Sequence, residues 1–97
     1  MDITTKTVHF NLEDETRDLL NERIGKLGFA EDKLTTLDIT LTRDNFEYLA
    51  EANMHFRWGK DAHIKVTGYD LEPCIGQLVE KINHKVHKEA EKIQDHG

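Results

Sequence analysis

Three stretches of the chain alternate between apolar and polar residues, which is the pattern of a β-strand with one buried face. They are residues 37–43 (LDITLTR), 49–58 and 62–67. In the first stretch, Leu37 and its alternate neighbours face one way and the polar residues face the other. Residues 2–9 are rich in β-branched residues, which are common in strands, so they predict a further strand near the start.

The loops between the predicted strands determine which residues pair. Residues 44–48 (DNFEY) predict a turn. A three-residue loop centred on Lys60 would pair Phe56 with Ile64, apolar against apolar. This register places two facing pairs on the polar side of the hairpin, Arg57 with His63 and His55 with Lys65.

Two further stretches have apolar residues at the spacing of an amphipathic helix. The first, about residues 11–27, begins at the capping residue Asn11 with acids in its first turn, and Gly28 would end it. The second begins after the capping residue Asp70, with Pro73 in its first turn, where proline is tolerated. Its apolar stripe consists of Leu71, Ile75, Leu78, Val79, Ile82, Val86 and Ile93.

The predicted order of elements is β-α-β-β-β-α, which indicates an α+β fold in a single domain spanning residues 1–97. A right-handed crossover through the first helix would place the first strand beside the second and parallel to it. The remaining strands would form an antiparallel meander, which completes a four-stranded sheet. Both helices would cover the apolar face of this sheet and leave the other face in contact with water.

The composition restricts the function. The chain has 13 basic and 19 acidic side chains, which gives a net charge of −6. Because this charge disfavours non-specific binding to nucleic acid, any such binding needs a local patch. No apolar run approaches the roughly 20 residues of a membrane span, and the start lacks the apolar block of a signal peptide. A single cysteine cannot form an internal disulfide, so we expect a cytoplasmic protein.

Cations are gathered on one side of the last helix. On a helical wheel, four lysines lie within roughly 60° of one another and form what we call the lysine row: Lys81, Lys85, Lys88 and Lys92. His84 and Glu89 border the row on opposite edges, while Glu80 and Glu91 project to the far side. Arg23 and Lys26 lie near the end of the first helix. Such a row is either a solvated helix flank or a phosphate-binding patch, which needs several cations on one surface.

Other arrangements of reactive side chains indicate less. His84 and His87 have a spacing that two metal ligands can use, but no acid or cysteine completes a shell, so no metal is expected. Cys74 is expected to be a free, buried or half-buried thiol whose pKa the nearby helix N-terminus lowers. No phosphate loop, nucleophile elbow or carboxylate pair is present, so we expect no enzyme, cofactor or small-molecule substrate. One polar surface is either a second RNA-facing patch or a solvated sheet face: His55, Arg57, His63 and Lys65.

Several segments, taken in order, match a known pattern. The opening ITTKTVHFNLEDETRDLLNERIGKL has a short strand and a helix that ends in a basic, an apolar and a small residue followed by Lys-Leu, here residues 23–27. EANMHF and HIKVTGYDLEPCIGQLVEKINHKVHK continue with two strands, a Gly-x-Asp-Leu start and a lysine-rich helix. In these features nearly the whole chain resembles the ribosome hibernation-promoting factors, also called ribosomal subunit interface proteins or ribosome-associated translation inhibitors.

The resemblance implies a function. Members of this family bind the small ribosomal subunit in stationary or starved cells, within the channel used by messenger RNA and tRNA. They inhibit translation and preserve idle ribosomes without being enzymes. Basic residues on their two helices meet the ribosomal RNA backbone, and His84 stands where the family often has arginine. The implied RNA-binding positions are Arg23, Lys26, Lys81, His84, Lys85, Lys88 and Lys92.

The resemblance further implies a short-type member, without the second domain of the extended members. Such a protein would be a monomer off the ribosome and would also contact basic ribosomal protein tails. The alternative is a protein-interaction module on the same fold that has lost ribosome binding. Acids on the outer face of its first helix would then contact a basic partner: Glu15, Asp18 and Glu22.

Overall fold

The computed structural model describes residues 1–94, apart from the side chains of Phe29 and Gln94. Within residues 1–94, seven elements follow one another: β1 (Asp2–Val8), α1 (Asp14–Gly25), α2 (Gly28–Glu31), β2 (Leu34–Asp44), β3 (Glu47–Phe56), β4 (Asp61–Gly68) and α3 (Leu71–Gln94). The predicted order β-α-β-β-β-α is confirmed. The one addition is the single-turn helix α2, which the sequence analysis missed because four residues are too few to show a helical period.

The four strands form one sheet in the order β1-β2-β3-β4. Strand β1 pairs with β2 in parallel, and the other neighbours are antiparallel, as predicted. The alternation in β2 arises because Leu37, Ile39 and Leu41 are fully buried, whereas Asp38 and Thr40 lie on the opposite face. The structure thus has one apolar sheet face under the helices and one polar face, which is an α+β arrangement.

The predicted register of the hairpin between β3 and β4 is wrong. The Phe56 N–H donates to the Lys60 carbonyl at 2.8 Å, so the loop is centred on Trp58 rather than on Lys60. Its length of three residues is as predicted, but Gly59 takes the third position with a φ of +87°. That position of a three-residue loop requires a left-handed residue, which glycine adopts without strain. The conformation of Gly59 therefore sets the position of the loop.

The register correction changes which polar residues face each other. His55 pairs with Asp61, His63 with Asn53, and Lys65 with Glu51. Arg57 and Trp58 leave the strand and lie in the loop, where Trp58 stacks on Phe56 with ring centroids 5.0 Å apart. The apolar face of the hairpin is unchanged, because the pairing moves by an even number of residues and side chains alternate with a period of two.

Helix α1 is shorter than predicted at both ends. It begins at Asp14, with Glu13 rather than Asn11 in the capping position and no side-chain hydrogen bond to the cap. It ends at Gly25, and Gly28 begins α2 instead of ending α1. The intervening residue Leu27 is buried, and its N–H donates to the Ile24 carbonyl at 2.9 Å. Burial of this leucine draws the chain inward between the two helices.

The core lies between the sheet and α3. Helix α3 packs over β3 and β4, and α1 and α2 pack against α3. The stripe predicted for the last helix is confirmed along most of its length, since Ile75, Leu78, Ile82 and Val86 are fully buried. Ile93 is 42 % exposed and lies beyond the part of the helix that the sheet covers. Burial of each large aliphatic side chain contributes about 1.5–3 kcal/mol, so this stripe anchors the helix firmly.

Candidate nucleic-acid interface

The lysine row occupies one flank of α3. The helix is continuous from Leu71 to Gln94, so the helical wheel holds over the whole row. The four lysine side chains project from the helix beside the buried stripe, roughly 100° around the helix axis from the centre of that stripe. Three of them are exposed and Lys85 is half-buried. The buried stripe thus fixes the direction in which the row projects.

The carboxylate of Glu89 lies beside the row, and its side chain is only 2 % exposed. Its Oε2 is 2.7 Å from the Nζ of Lys60, which the hairpin between β3 and β4 supplies. Its Oε1 is 3.1 Å from the Nζ of Lys85 and 3.2 Å from that of Lys92. The lysine side chains themselves keep contact with solvent. We call Lys60, Lys85, Glu89 and Lys92 the Glu89 cluster.

The Glu89 cluster keeps a positive charge at neutral pH. The hydrogen bond from Lys60 is the main cause that lowers the pKa of Glu89, with further contributions from Lys85 and Lys92. Burial acts in the opposite direction, but the ammonium groups prevail and the pKa falls to about 2. Three ammonium groups around one carboxylate leave a formal charge of +2. This cationic site lies on a protein whose net charge is −6.

The other two lysines of the row and the neighbouring His84 have different surroundings. Lys81, His84 and Lys88 are exposed, and within residues 1–94 they form no ion pair or hydrogen bond. They lie on the same helix side as the cluster and extend its cationic surface toward the N-terminal end of α3. The flank therefore combines fixed ammonium groups with unconstrained ones.

The cationic flank of α3 borders β4. Lys60, which directly precedes β4, contacts Glu89 near the end of the helix. At the other end of the strand, Gly68 lies against Cys74 in the first turn of α3. Both contacts are on the side of α3 that carries the lysine row. The opposite edge of the buried stripe, with Val79 and Ala90, is therefore left for α1 and α2 to pack against.

The two cations of the first helix lie apart from this flank. Ile24 and Gly25 line a groove with β1, so that side of α1 faces the edge of the sheet. Arg23 lies about 100° from Ile24 in the other direction, on the side toward α3, and Lys26 follows it. Both are exposed, and the Nζ of Lys26 is 4.0 Å from Glu22. The outer face of α3 thus separates Arg23 and Lys26 from the lysine row.

The predicted second patch on the sheet is balanced by acids. His55 Nδ1 lies 2.5 Å from Asp61 Oδ1. His63 Nε2 lies 3.3 Å from Glu51 Oε2, and Glu51 also faces Lys65 across the strands. Arg57 lies in the loop between β3 and β4 rather than on this face. Because carboxylates lie beside His55, His63 and Lys65, these side chains form a charge-balanced surface rather than a cationic patch.

Cys74 is a buried free thiol. Burial is the main cause that raises its pKa, and the carboxylate of Asp70 raises it further. The expected lowering by the helix N-terminus is therefore wrong, since desolvation disfavours the thiolate more strongly. Among the described residues, no three histidine, cysteine or acidic side chains converge as a metal site would require. In the same part of the chain, no helix has the length and apolar character that crossing a bilayer requires.

Two residues contribute to this surface in a way that the sequence pattern does not predict. The sequence predicts only a loop position for Lys60 and a place beside the lysine row for Glu89. The spacing of Glu89 from Lys85 and Lys92 is that of helical neighbours, which is a signal for local ion pairs. No sequence signal links Lys60 to Glu89, because the approach of the hairpin to α3 is a tertiary contact.

Solved structures of ribosomal subunit interface proteins have the same fold. The structure of such a protein from Coxiella burnetii superposes with a TM-score of 0.84 at 14 % identity, covering 94 % of this chain and 99 % of that one. The N-terminal domain of Protein Y from Thermus thermophilus superposes with a TM-score of 0.76 at 18 % identity, covering 91 % and 98 %. At these identities the likeness establishes the fold.

Sequence comparison establishes the family. The model of the family described as "Sigma 54 modulation protein / S30EA ribosomal protein" matches residues 3–94. The chain therefore belongs to this family. A protein of Klebsiella oxytoca named ribosome hibernation promoting factor is 26 % identical over 80 residues, which cover 82 % of this chain and 83 % of that protein. The resemblance stated from the sequence is confirmed.

Proposed function

We propose that this protein binds the small ribosomal subunit and inhibits translation by occupying the channel of messenger RNA and tRNA. It would act in the cytoplasm as a monomer and preserve idle ribosomes, without enzymatic activity. Family membership supports association with the ribosome. The observation that carries the proposed mode of binding is the cationic flank of α3, where a net acidic chain holds the Glu89 cluster beside Lys81 and Lys88.

The charge distribution supports contact with an RNA backbone. Lysines that neutralise phosphates release counterions, and the gain scales with the number neutralised. The flank of α3 presents its cations on one continuous surface, which meets this requirement. Arg23 and Lys26 would contact RNA at a separate point, on the other side of α3. His84 would add a hydrogen-bond donor to this surface.

The acids of α1 have a place in the same proposal. Glu15, Asp18 and Glu22 are exposed on the outer face of α1. Turned away from RNA, they would face solvent or the basic tails of ribosomal proteins. The same exposed face supports the second candidate, a protein-interaction module that no longer binds ribosomes.

Co-sedimentation with purified bacterial small subunits at several salt concentrations tests the proposal. We expect binding that falls with salt, because phosphate contacts dominate. Lys81→Gln with Lys88→Gln removes two exposed lysines that have no partner in the described structure. This variant should reduce the slope of log affinity against log salt by about two. Lys6→Gln with Lys65→Gln removes the same charge from the polar sheet face and is the matched control.

Each outcome of this experiment decides between the candidates. Weaker binding of the α3 variant with normal binding of the control supports the proposal. Equal loss in both variants would contradict a specific role of α3. Absence of wild-type binding even at low salt would refute the ribosomal proposal. The acidic face of α1 would then serve as bait for a basic protein partner, with Glu15→Lys and Asp18→Lys as the negative control.

A further inference from the structure

The Glu89 cluster joins two distant parts of the chain. Lys85 and Lys92 come from α3, and Lys60 comes from the hairpin between β3 and β4. We propose that Glu89 is a positioning residue, which holds these three ammonium groups as a preformed receptor for phosphates of an RNA backbone. In this inference, which rests on the proposed function, Lys60 becomes a direct RNA contact although it lies outside both helices.

The burial of Glu89 argues for positioning. An acid that merely offset lysine charge would lie at the surface with them, whereas the Glu89 side chain is 2 % exposed beneath them. Lys60, Lys85 and Lys92 remain 44 %, 34 % and 54 % exposed. The carboxylate thus lies under the ammonium groups and leaves their outer sides open to a ligand.

The donor count supports the same conclusion. An ammonium group has three N–H donors, and each lysine of the cluster directs one of them to Glu89. The other donors are available to phosphate oxygens. A lysine side chain that extends freely into solvent loses much of its rotamer freedom when it binds a phosphate. The contact with Glu89 has already removed part of that freedom in the free protein.

The distances fit phosphate groups. Because the Nζ atoms of Lys85 and Lys92 lie 3.1 and 3.2 Å from the same oxygen, they can be no more than about 6.3 Å apart. Charge-assisted N–H···O bonds are about 2.7–2.9 Å long, so one phosphate can accept from both lysines through two of its oxygens. Lys60, on the other oxygen of Glu89, is placed to meet a second phosphate. The formal charge of +2 on the Glu89 cluster would then neutralise two phosphate groups of the RNA backbone.

Glu89→Gln distinguishes positioning of the lysines from simple neutralisation of their charge, because the two roles predict opposite changes in RNA affinity. The substitution keeps the size of the side chain and makes the protein more positive by one charge. If Glu89 only offsets the lysines, RNA binding becomes tighter. If Glu89 positions them, RNA binding becomes weaker, and we expect roughly three- to tenfold loss of affinity. The salt slope should also decrease, because fewer phosphates are neutralised at once.

Lys60→Gln and the double variant measure the coupling. Lys60→Gln alone should weaken binding and reduce the salt slope by about one. In the Glu89→Gln background it should have little further effect, since Lys60 is no longer held in place. Additive effects would overturn the positioning role. Ile82→Val, which weakens the core and leaves the cluster intact, should bind normally and controls for loss of stability.

Two probes distinguish failure of this inference from failure of the proposed function. Binding is measured to small ribosomal subunits and to a labelled 20-nucleotide RNA hairpin in low salt. If the wild-type protein binds the hairpin but not the subunits, the ribosomal proposal fails and the hairpin data still test Glu89. If Glu89→Gln binds either probe as tightly as wild type or more tightly, the positioning role is overturned. A wild-type protein that binds neither probe overturns both.

Discussion

Replacement of Glu89 by glutamine should destabilise the protein at neutral pH. The folded state holds the carboxylate against Lys60, Lys85 and Lys92, and these contacts lower the pKa of Glu89 from 4.5 to about 2. In the unfolded chain the same carboxyl group is free in water. Glutamine keeps the shape of the side chain but cannot attract three ammonium groups. The variant therefore loses the part of the folding free energy that depends on ionisation of Glu89.

The magnitude follows from the pKa difference. Each pKa unit corresponds to about 1.36 kcal/mol, so the lowering of the Glu89 pKa from 4.5 to about 2 would represent about 3 kcal/mol of folding free energy. Water screens the ammonium groups, because their side chains are between 34 % and 54 % exposed. The exposed lysines are also readily solvated when Glu89 is replaced, unlike a fully buried partner. We therefore expect a loss of about 1 to 2 kcal/mol at pH 7.

The pH dependence has a definite sign. Since folding lowers the pKa of Glu89, its contribution is complete above the unfolded value of about 4.5. The contribution disappears as pH falls toward about 2, because the protonated glutamate then resembles glutamine. The difference in unfolding free energy between wild type and Glu89→Gln should therefore be greatest near pH 7 and shrink between pH 5 and 2.

Urea denaturation followed by circular dichroism at pH 7, 5, 4 and 3, with constant ionic strength, measures this difference. Glu80→Gln is the matched control, because Glu80 is exposed on the same helix and has no ion pair in the described structure. Its effect should be small and independent of pH. A Glu89→Gln difference that stays constant from pH 7 to pH 3, or that is absent at pH 7, would refute the electrostatic account of the cluster.

Two further predictions concern the contact between β4 and the first turn of α3. Gly68→Ala should lower the unfolding free energy by about 1–3 kcal/mol, because its Cβ would lie 2.7 Å from Cys74 Sγ. Cys74→Ala in the same chain removes this clash and should restore much of the lost stability, as measured by urea denaturation. Cys74 should react with iodoacetamide at pH 8 far more slowly in the native protein than in urea, since it is 3 % exposed and burial raises its pKa. Rapid native labelling would contradict its burial.

Sequence periodicity was sufficient to predict the architecture. The alternation from Leu37 to Leu41 predicted a strand with one buried face, and the spacing from Ile75 to Val86 predicted the buried stripe of α3. Both signals are local, because side-chain direction repeats every 2.0 or 3.6 residues whatever the rest of the chain does. The lysine row was visible for the same reason, since its four members follow one helical wheel.

The sequence by itself thus determined the order of elements, the buried faces and the sorting of charge on α3, because each depends on neighbours along the chain. Only the tertiary structure decided where the hairpin turns, because the φ of Gly59 and the pairing of β3 with β4 are set together. It also decided that Lys60 meets Glu89 and that Arg23 lies on another side of α3. These relations depend on how α3 lies against β4 and α1, and no periodicity within one segment carries that information.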